Sequence, residues 1–317
     1  MTLAEPLLPP RLKAGDTIGV FHPAGPIEDL AAFESGLHIL REFGLQVRHH
    51  HPDDSGPDYL AAKDEERVRE LHTLWADEEV KGLITARGGY GCLRIINNLD
   101  QDFLRSHPKL LIGFSDLTVL LNGIFTKTGL ITLHGPGVTS LPRIENVSLD
   151  HFREQLAGKF RSYTNISGPE ILRPTMGQGH MIGGNLTTLS HLIGTPWQPK
   201  FAGNILFLED TAEPEYKLDR MLTHLSCCGL LDNLSGLILG VFDPGHDDSL
   251  EMIRLSEQIW NRVLELTRST SYPIWGGFPA GHQRDNYPLP IGMEAVMDST
   301  TGTLDFLPKN CLRADVY

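Results

Sequence analysis

Leu111-Ile112-Gly113-Phe114-Ser115-Asp116-Leu117-Thr118 passes from an apolar, strand-like run through a sharp turn into residues spaced as in a helix. A strand that feeds directly into a helix is half of a βαβ unit. A serine at that corner stands clear of the backbone, with the helix's free N–H groups beside it to receive an oxyanion. Upstream, Ala86-Arg87-Gly88-Gly89-Tyr90-Gly91 forms a second glycine-rich turn after another apolar run. Turns at the carboxyl ends of neighbouring parallel strands face a common crevice. The pair points to hydrolytic chemistry with Ser115 as nucleophile.

The same alternation extends outward. Residues 17–21 form a short apolar run ending in His22-Pro23-Ala24-Gly25-Pro26. Ile27, Leu30, Ala31, Leu37, Leu40 and Phe43 then recur at helical spacing until Gly44, and 45–48 reads as a strand. A charged helix is predicted over 63–75, strands over 82–86 and 110–113, a helix over 116–128 and a strand over 131–133. This rhythm predicts a doubly wound, mostly parallel sheet in the N-terminal half. From 143 to 179 the pattern weakens among polar residues, glycines and prolines, which marks a connection. Beyond it, strands are expected at 204–208 and 237–242, and helices through Tyr216–Leu225 and over 250–266. Short, antiparallel-looking strands follow from 289 to 307. The expected organisation is an N-terminal nucleophile domain (1–150), a connection (151–180) and a C-terminal mixed α/β domain (181–317).

The 317 residues carry a formal charge of −13, which argues against binding a nucleic-acid backbone, since that relies on concentrated Lys and Arg. No window is apolar enough for a membrane span, and Met1–Pro10 lacks the basic start and apolar core of a signal peptide. The four cysteines (92, 227, 228 and 311) form no repeating framework, so a reducing, cytoplasmic setting is expected. Cys227 and Cys228 read as small buried thiols, and Cys92 as a core residue.

A serine hydroxyl needs a base, and the base needs an orienting group. Fourteen histidines are present, so position must select among them. His282 lies in Phe278-Pro279-Ala280-Gly281-His282-Gln283-Arg284-Asp285-Asn286, a loop too rich in glycine and proline for the core. Glu209 closes the run 204–208, and a carboxylate at the tip of a buried strand is costly unless paired or useful. The order Ser115, Glu209, His282 is that of many α/β hydrolases. Leu117, however, stands where a G-x-S-x-G elbow has its second glycine. Each residue also has an ordinary reading: Ser115 as a helix N-cap, Glu209 as a strand end, His282 as a loop hydrogen-bonding residue. The runs 49–54 (His-His-His-Pro-Asp-Asp) and 243–248 (Asp-Pro-Gly-His-Asp-Asp) invite a metal reading, but neither has metal-ligand spacing. No metal or cofactor is expected.

Together these segments resemble the LD-carboxypeptidase family, the serine peptidases that include the microcin C self-immunity peptidases. The resemblance spans nearly the whole chain. It is carried by Lys13–Val20, His22-Pro23-Ala24-Gly25, Ala86–Gly91, Gly113-Phe114-Ser115-Asp116, Gly183-Gly184-Asn185-Leu186, Phe207-Leu208-Glu209-Asp210, Gly281–Asn286 and Leu289-Pro290-Ile291-Gly292. It implies that Ser115 is the nucleophile, His282 the general base and Glu209 its orienting acid, in a cleft between two domains. It also implies an oxyanion hole of backbone N–H groups, placed here at Gly89 and Asp116, and a homodimer. Glu209-Asp210 leading into Pro214–Leu222 looks more like the murein-recycling branch. That branch hydrolyses the bond before the terminal D-alanine of cytoplasmic murein tetrapeptides. The alternatives are an amidase of peptidyl or aminoacyl nucleotides, as in the microcin branch, and a non-catalytic two-domain solute-binding protein. Arg94 or Arg284 is the expected partner of a substrate carboxylate.

Overall fold

The computed structural model describes residues 5–50, 57–164, 166, 169–245, 249–308 and 312–313. In chain order the first strands are β1 (Leu7–Leu8), β2 (Thr17–Phe21), β3 (Gln46–His49), β4 (Val80–Thr85), β5 (Leu110–Gly113) and β6 (Thr132–His134). Then come β7 (Glu170–Arg173), β8 (Met176–Asn185), β9 (Ile205–Thr211), β10 (Gly236–Asp243) and β11 (Ile274–Gly276). The last are β12 (Leu289–Ile291), β13 (Glu294–Asp298), β14 (Thr303–Phe306) and β15 (Leu312–Arg313).

Two large sheets carry the molecule, and β1 and β15 pair in parallel as a third, two-stranded one. The N-terminal sheet has the order β12-β6-β5-β4-β2-β3, with β2 to β6 all parallel. The order reverses between β2 and β4, as in doubly wound sheets. The other sheet, β14-β13-β8-β9-β10-β11-β7, is mixed: β8 to β11 run parallel, while β13, β14 and β7 pair antiparallel. The expected fold class is therefore observed. One strand crosses over: β12 comes from the C-terminal region yet pairs antiparallel with β6 at the edge of the N-terminal sheet. The segment expected as a connection, 151–180, contains the end of a helix, Asn146–Leu156, and both β7 and the start of β8.

Helices form where apolar stripes and caps agree. Helix α1 (Leu30–Glu42) begins at Asp29, whose carboxylate accepts from the Ala32 N–H at 2.9 Å. It gives way to Gly44 at φ +85°, the left-handed conformation that glycine tolerates best. Helix α2 (Asp64–Ala76) follows, then α3 (Cys92–Ile95), α4 (Gln101–Ser106) and α5 (Thr118–Thr128). Nine residues of α5 are buried, from Thr118 through Phe125 and at Thr128. An all-round apolar helix belongs in an interior, and α5 packs against β5 and β6 on one side and β8 on the other. It belongs to a core cluster that runs from Phe21 and Leu111 to Leu208 and Leu239, so one apolar interior spans both sheets.

The helix bearing Cys227, Glu215–Cys227, buries Leu218, Leu222 and Leu225. Cys227 and Cys228 fall off that stripe and are exposed, which corrects the expectation of buried thiols. Cys92 is fully buried in the core, as expected, and burial pushes its thiol well above the ordinary range. Among the described residues no helix is long and apolar enough to cross a membrane.

Candidate active site

Ser115 does not cap a helix. It opens a short 3-10 turn, Ser115–Leu117, that leads into α5, and neither start has a side-chain cap. Its φ is +63°, one of two non-glycine residues in the left-handed region among the described residues. Such a backbone costs about 1–2 kcal/mol in an L-residue, and strain of this kind clusters at functional sites. Gly88 packs against it: a Cβ built there would lie 2.9 Å from Ser115 Cβ and 3.1 Å from Oγ. The glycine is required by that close approach.

Two hydrogen-bonded ties fix this turn. Asp116 is buried, and its carboxylate accepts from the Cys92 N–H at 2.8 Å, joining the turn to α3. The Thr188 hydroxyl donates to the Ser115 carbonyl at 3.2 Å. A third set locks α5 to the other sheet. Asn122 accepts from the Gly183 N–H and donates to the Gly183 carbonyl, both at 2.8 Å. Thr118 Oγ1 accepts from the Asn185 N–H at 3.0 Å. Gly183 and Gly184 have φ of +108° and +138°, and a Cβ at Gly184 would lie 2.5 Å from Thr118 Oγ1. The Gly-Gly-Asn-Leu segment is thus a docking point for the helix that follows the serine. In register, Asn185 on β8 pairs with Glu209 on β9.

Glu209 lies within β9 rather than at its tip, because the strand continues to Thr211. It is fully buried, and its Oε2 accepts from His282 Nδ1 at 2.7 Å. A carboxylate only accepts, so Nδ1 carries a proton and, in the neutral ring, Nε2 keeps its lone pair. Burial pushes the Glu209 carboxyl up, but the charge and hydrogen bonds of His282 more than offset it and hold it below its usual range. Conversely, burial opposes protonation of His282, and the Glu209 charge overcomes this and raises it. Beside them, burial and the Glu209 charge push Asp210 up to about 6. Asp210 accepts from Asn185 Nδ2, from the Thr187 N–H and hydroxyl, and from the Thr211 N–H, at 2.8–3.0 Å. It is a structural knot rather than a reacting group.

Ser115, Phe114 and His282 line a cavity of about 320 Å³ with Gly88, Gly89, Arg87 and Arg143. Arg87 pairs with Glu28 at 2.6 Å and Arg143 with Asp29 at 2.7 Å. A second cavity, about 240 Å³, shares Ser115 and Gly89 but is bounded by Asp210, Glu213, His191 and Tyr90. Glu28 and Asp29 line the first cavity beside these arginines, so the serine sits between a compartment of paired guanidinium and carboxylate groups and one bounded by carboxylates and His191. The Ser115 hydroxyl makes no hydrogen bond to His282 among the described residues; catalytic contacts often tighten only with substrate bound. Arg94 and Arg284, the expected carboxylate partners, line neither cavity. Arg94 is bound to Asp64 at 3.0 Å and Arg284 to Glu145 at 2.9 Å.

Gly89 has φ +121°, and Gly25 donates its N–H to the Gly88 carbonyl at 3.2 Å. The glycine loop is also held by Arg67, which donates to the carbonyls of Pro23 and Gly91 and to Asp64. Arg67 is 1% exposed. A buried arginine in a helix that otherwise reads as charged surface gives no sequence signal. The described residues hold no group of three or more His, Cys, Asp or Glu able to bind a metal. The run 49–54 and the run 243–248 lie partly outside the described residues.

Residues 18–135 match the model of the LD-carboxypeptidase N-terminal domain, and residues 178–297 that of the LD-carboxypeptidase C-terminal domain. A probable murein peptide carboxypeptidase of Bacillus subtilis is 34% identical over 299 residues, covering 93% of this chain and 92% of that protein. The microcin C7 self-immunity protein MccF of Escherichia coli is 28% identical, covering 94% and 95%. Among solved structures, wild-type MccF in its apo state gives a TM-score of 0.85 at 26% identity, covering 96% and 100%. Muramoyltetrapeptide carboxypeptidase from Oxalobacter formigenes gives 0.77 at 30% identity, covering 92% and 97%.

Proposed function

Because the chain belongs to the LD-carboxypeptidase family, we propose that Ser115, His282 and Glu209 act together to hydrolyse an amide bond in a small peptide. The carrying observation is the 2.7 Å pair of buried Glu209 and half-buried His282, whose ring opens onto the cavity that holds a strained serine. His282 Nε2 takes the Ser115 proton as Oγ attacks the scissile carbonyl. Glu209 fixes the imidazole tautomer and steadies the imidazolium. The backbone N–H groups of Gly89 and Asp116 receive the oxyanion, each such donor contributing about 3 kcal/mol to the transition state. The amine leaves with the proton from His282, and water then resolves the acyl-enzyme.

For the substrate, one reading is a murein tetrapeptide losing its terminal D-alanine. The sequence likeness to the Bacillus subtilis protein supports this. Arg87 and Arg143 would meet a terminal carboxylate beside Glu28 and Asp29, their present partners in the same cavity, and Glu213 and Asp210 border the compartment an ammonium would enter. The second reading is cleavage of aminoacyl or peptidyl nucleotides. The closer superposition on MccF favours it, 0.85 against 0.77. A phosphate would then occupy the arginine side.

Mass spectrometry after incubation with a murein tetrapeptide, and separately with a peptidyl-adenylate, decides between them. Release of D-alanine supports the first reading, and cleavage of the adenylate alone overturns it in favour of the second. Turnover by Ser115→Ala on either substrate would refute the proposed nucleophile. Tight binding of either without turnover by the wild type would support the solute-binding alternative. In the cell, a cytoplasmic homodimer is the form we propose.

A further inference from the structure

His134 ends β6 directly opposite Gly113 of the strand that leads to the serine, and it is fully buried. Its ring meets Phe207 edge-on, with centroids 5.1 Å apart, and Phe114 at 6.2 Å. Phe114 in turn lies 4.7 Å from the ring of His282. Phe207 and Glu209 are alternate residues of β9, so their side chains share one face. A Cβ at Gly240 would touch both of them, at 2.9 and 3.1 Å. His134 therefore stands in the same box as the acid–base pair.

Within that box two polar groups are unmatched among the described residues: Glu209 Oε1, and both ring nitrogens of His134. Leaving a buried carboxylate oxygen and an imidazole N–H without partners costs about 1–3 kcal/mol each. The two are complementary, since a neutral imidazole has one N–H to donate and Oε1 only accepts. No direct hydrogen bond joins them. A single water has the donors and acceptors to do so, and polar buried sites commonly hold one.

We propose that His134 is a positioning residue for the reacting pair, donating through one buried water to Glu209 Oε1 so that the carboxylate stays ionised and aimed at His282. The inference rests on the proposed roles of Ser115, His282 and Glu209. Burial brings His134 down to about 4, so it stays neutral while His282 cycles through its imidazolium. The ionisable groups acting on His134 are Glu209 and His282. Those acting on His282 are Glu209, Asp210 and Asp243. If the donor is lost, the Glu209 carboxylate is free to turn away from His282, the imidazolium loses that partner, and the His282 pKa falls.

The test compares His134→Phe, which fills the box without a donor, with His134→Gln, which restores an N–H. His134→Phe should lower kcat about 10- to 100-fold, the value of a hydrogen bond to a charged group. KM should hold within about twofold, and the acid limb of the kcat/KM profile should move to lower pH; His134→Gln should recover most of the loss. Wild-type kcat and an unmoved acid limb in a folded His134→Phe protein would overturn the proposal. If that variant does not fold, ring-15N spectra of the wild type decide. The His134 resonances should stay those of a neutral ring from pH 5 to 9, yet shift with the His282 titration. Resonances flat through that titration would overturn it. Retained turnover in Ser115→Ala would instead sink the reading of the triad, leaving the spectroscopic result interpretable.

Discussion

Replacing Gly88 with alanine tests how closely the serine is held. Gly88 is not among the glycines with positive φ, so the left-handed penalty does not arise and its methyl group is the main perturbation. That methyl would lie 2.9 Å from Ser115 Cβ and 3.1 Å from Oγ. Carbon atoms rest at about 3.5–4.0 Å, so one side must yield by roughly 0.6–1.1 Å. Ser115 cannot yield freely, since its carbonyl is bound by Thr188 and its neighbour Asp116 by Cys92. Misplacing a reacting group by about 1 Å costs on the order of 10²-fold in rate. Overpacking of this size costs about 1–3 kcal/mol of stability. D-Alanine release or adenylate cleavage under saturating substrate, together with a thermal melt, gives both numbers. Gly135→Ala is the control: its methyl would meet Pro288 and Phe152 at 3.4–3.6 Å, an ordinary contact. Wild-type kcat in Gly88→Ala would refute the claim that the serine's position is fixed by its neighbours.

Three further outcomes are expected. Ser115→Gly should abolish turnover yet stabilise the fold by up to about 1 kcal/mol, by releasing the φ +63° strain; urea unfolding against Ser115→Ala measures it, and a less stable glycine variant would contradict the strain. Because His282 must be neutral to act as base and its pKa is raised, the acid limb of kcat/KM should lie above about 6.5. Activity is then lost as the pH falls through that limb. Glu209→Gln should move the limb downward and lower kcat about 10²- to 10⁴-fold; an unmoved limb would show that the carboxylate does not set the His282 charge. Asn122→Ala strips partners from the buried Gly183 N–H and carbonyl and should cost about 2–4 kcal/mol in chemical unfolding. A cost below about 0.5 kcal/mol would mean that α5 is not held through this clamp.

The strand and helix order is readable because buried parallel strands appear as unbroken apolar runs and their helices as 3.6-residue stripes. Helix Asn146–Leu156 escapes because its stripe, Phe152 and Leu156 with half-covered Leu149, is sparse among polar residues. Glu209 reads as a strand end because charge normally terminates a buried run. Here the strand continues past it, since β8 and β10 pair on both sides and His282 compensates the charge. Ser115, Glu209 and His282 are legible as candidates because each interrupts a local pattern. Arg67, Asn122, Thr188 and His134 interrupt nothing. Their meaning lies in partners dozens of residues away, which no local window contains. The arginines illustrate the same limit: proximity in sequence to a motif selects Arg94 and Arg284, whereas Arg87 and Arg143 are the ones that line the cavity holding Ser115.

Strand β12 bears on how the protein is made. Chains emerge from the ribosome N-terminus first, and domains generally fold as they appear. Here the sheet that presents the serine keeps an open edge beside β6 until Leu289–Ile291 has been synthesised. His282, a few residues earlier, arrives at nearly the same moment. A nascent chain that has not reached Leu289 therefore displays an unfinished edge, and one that stops before His282 also lacks the proposed base.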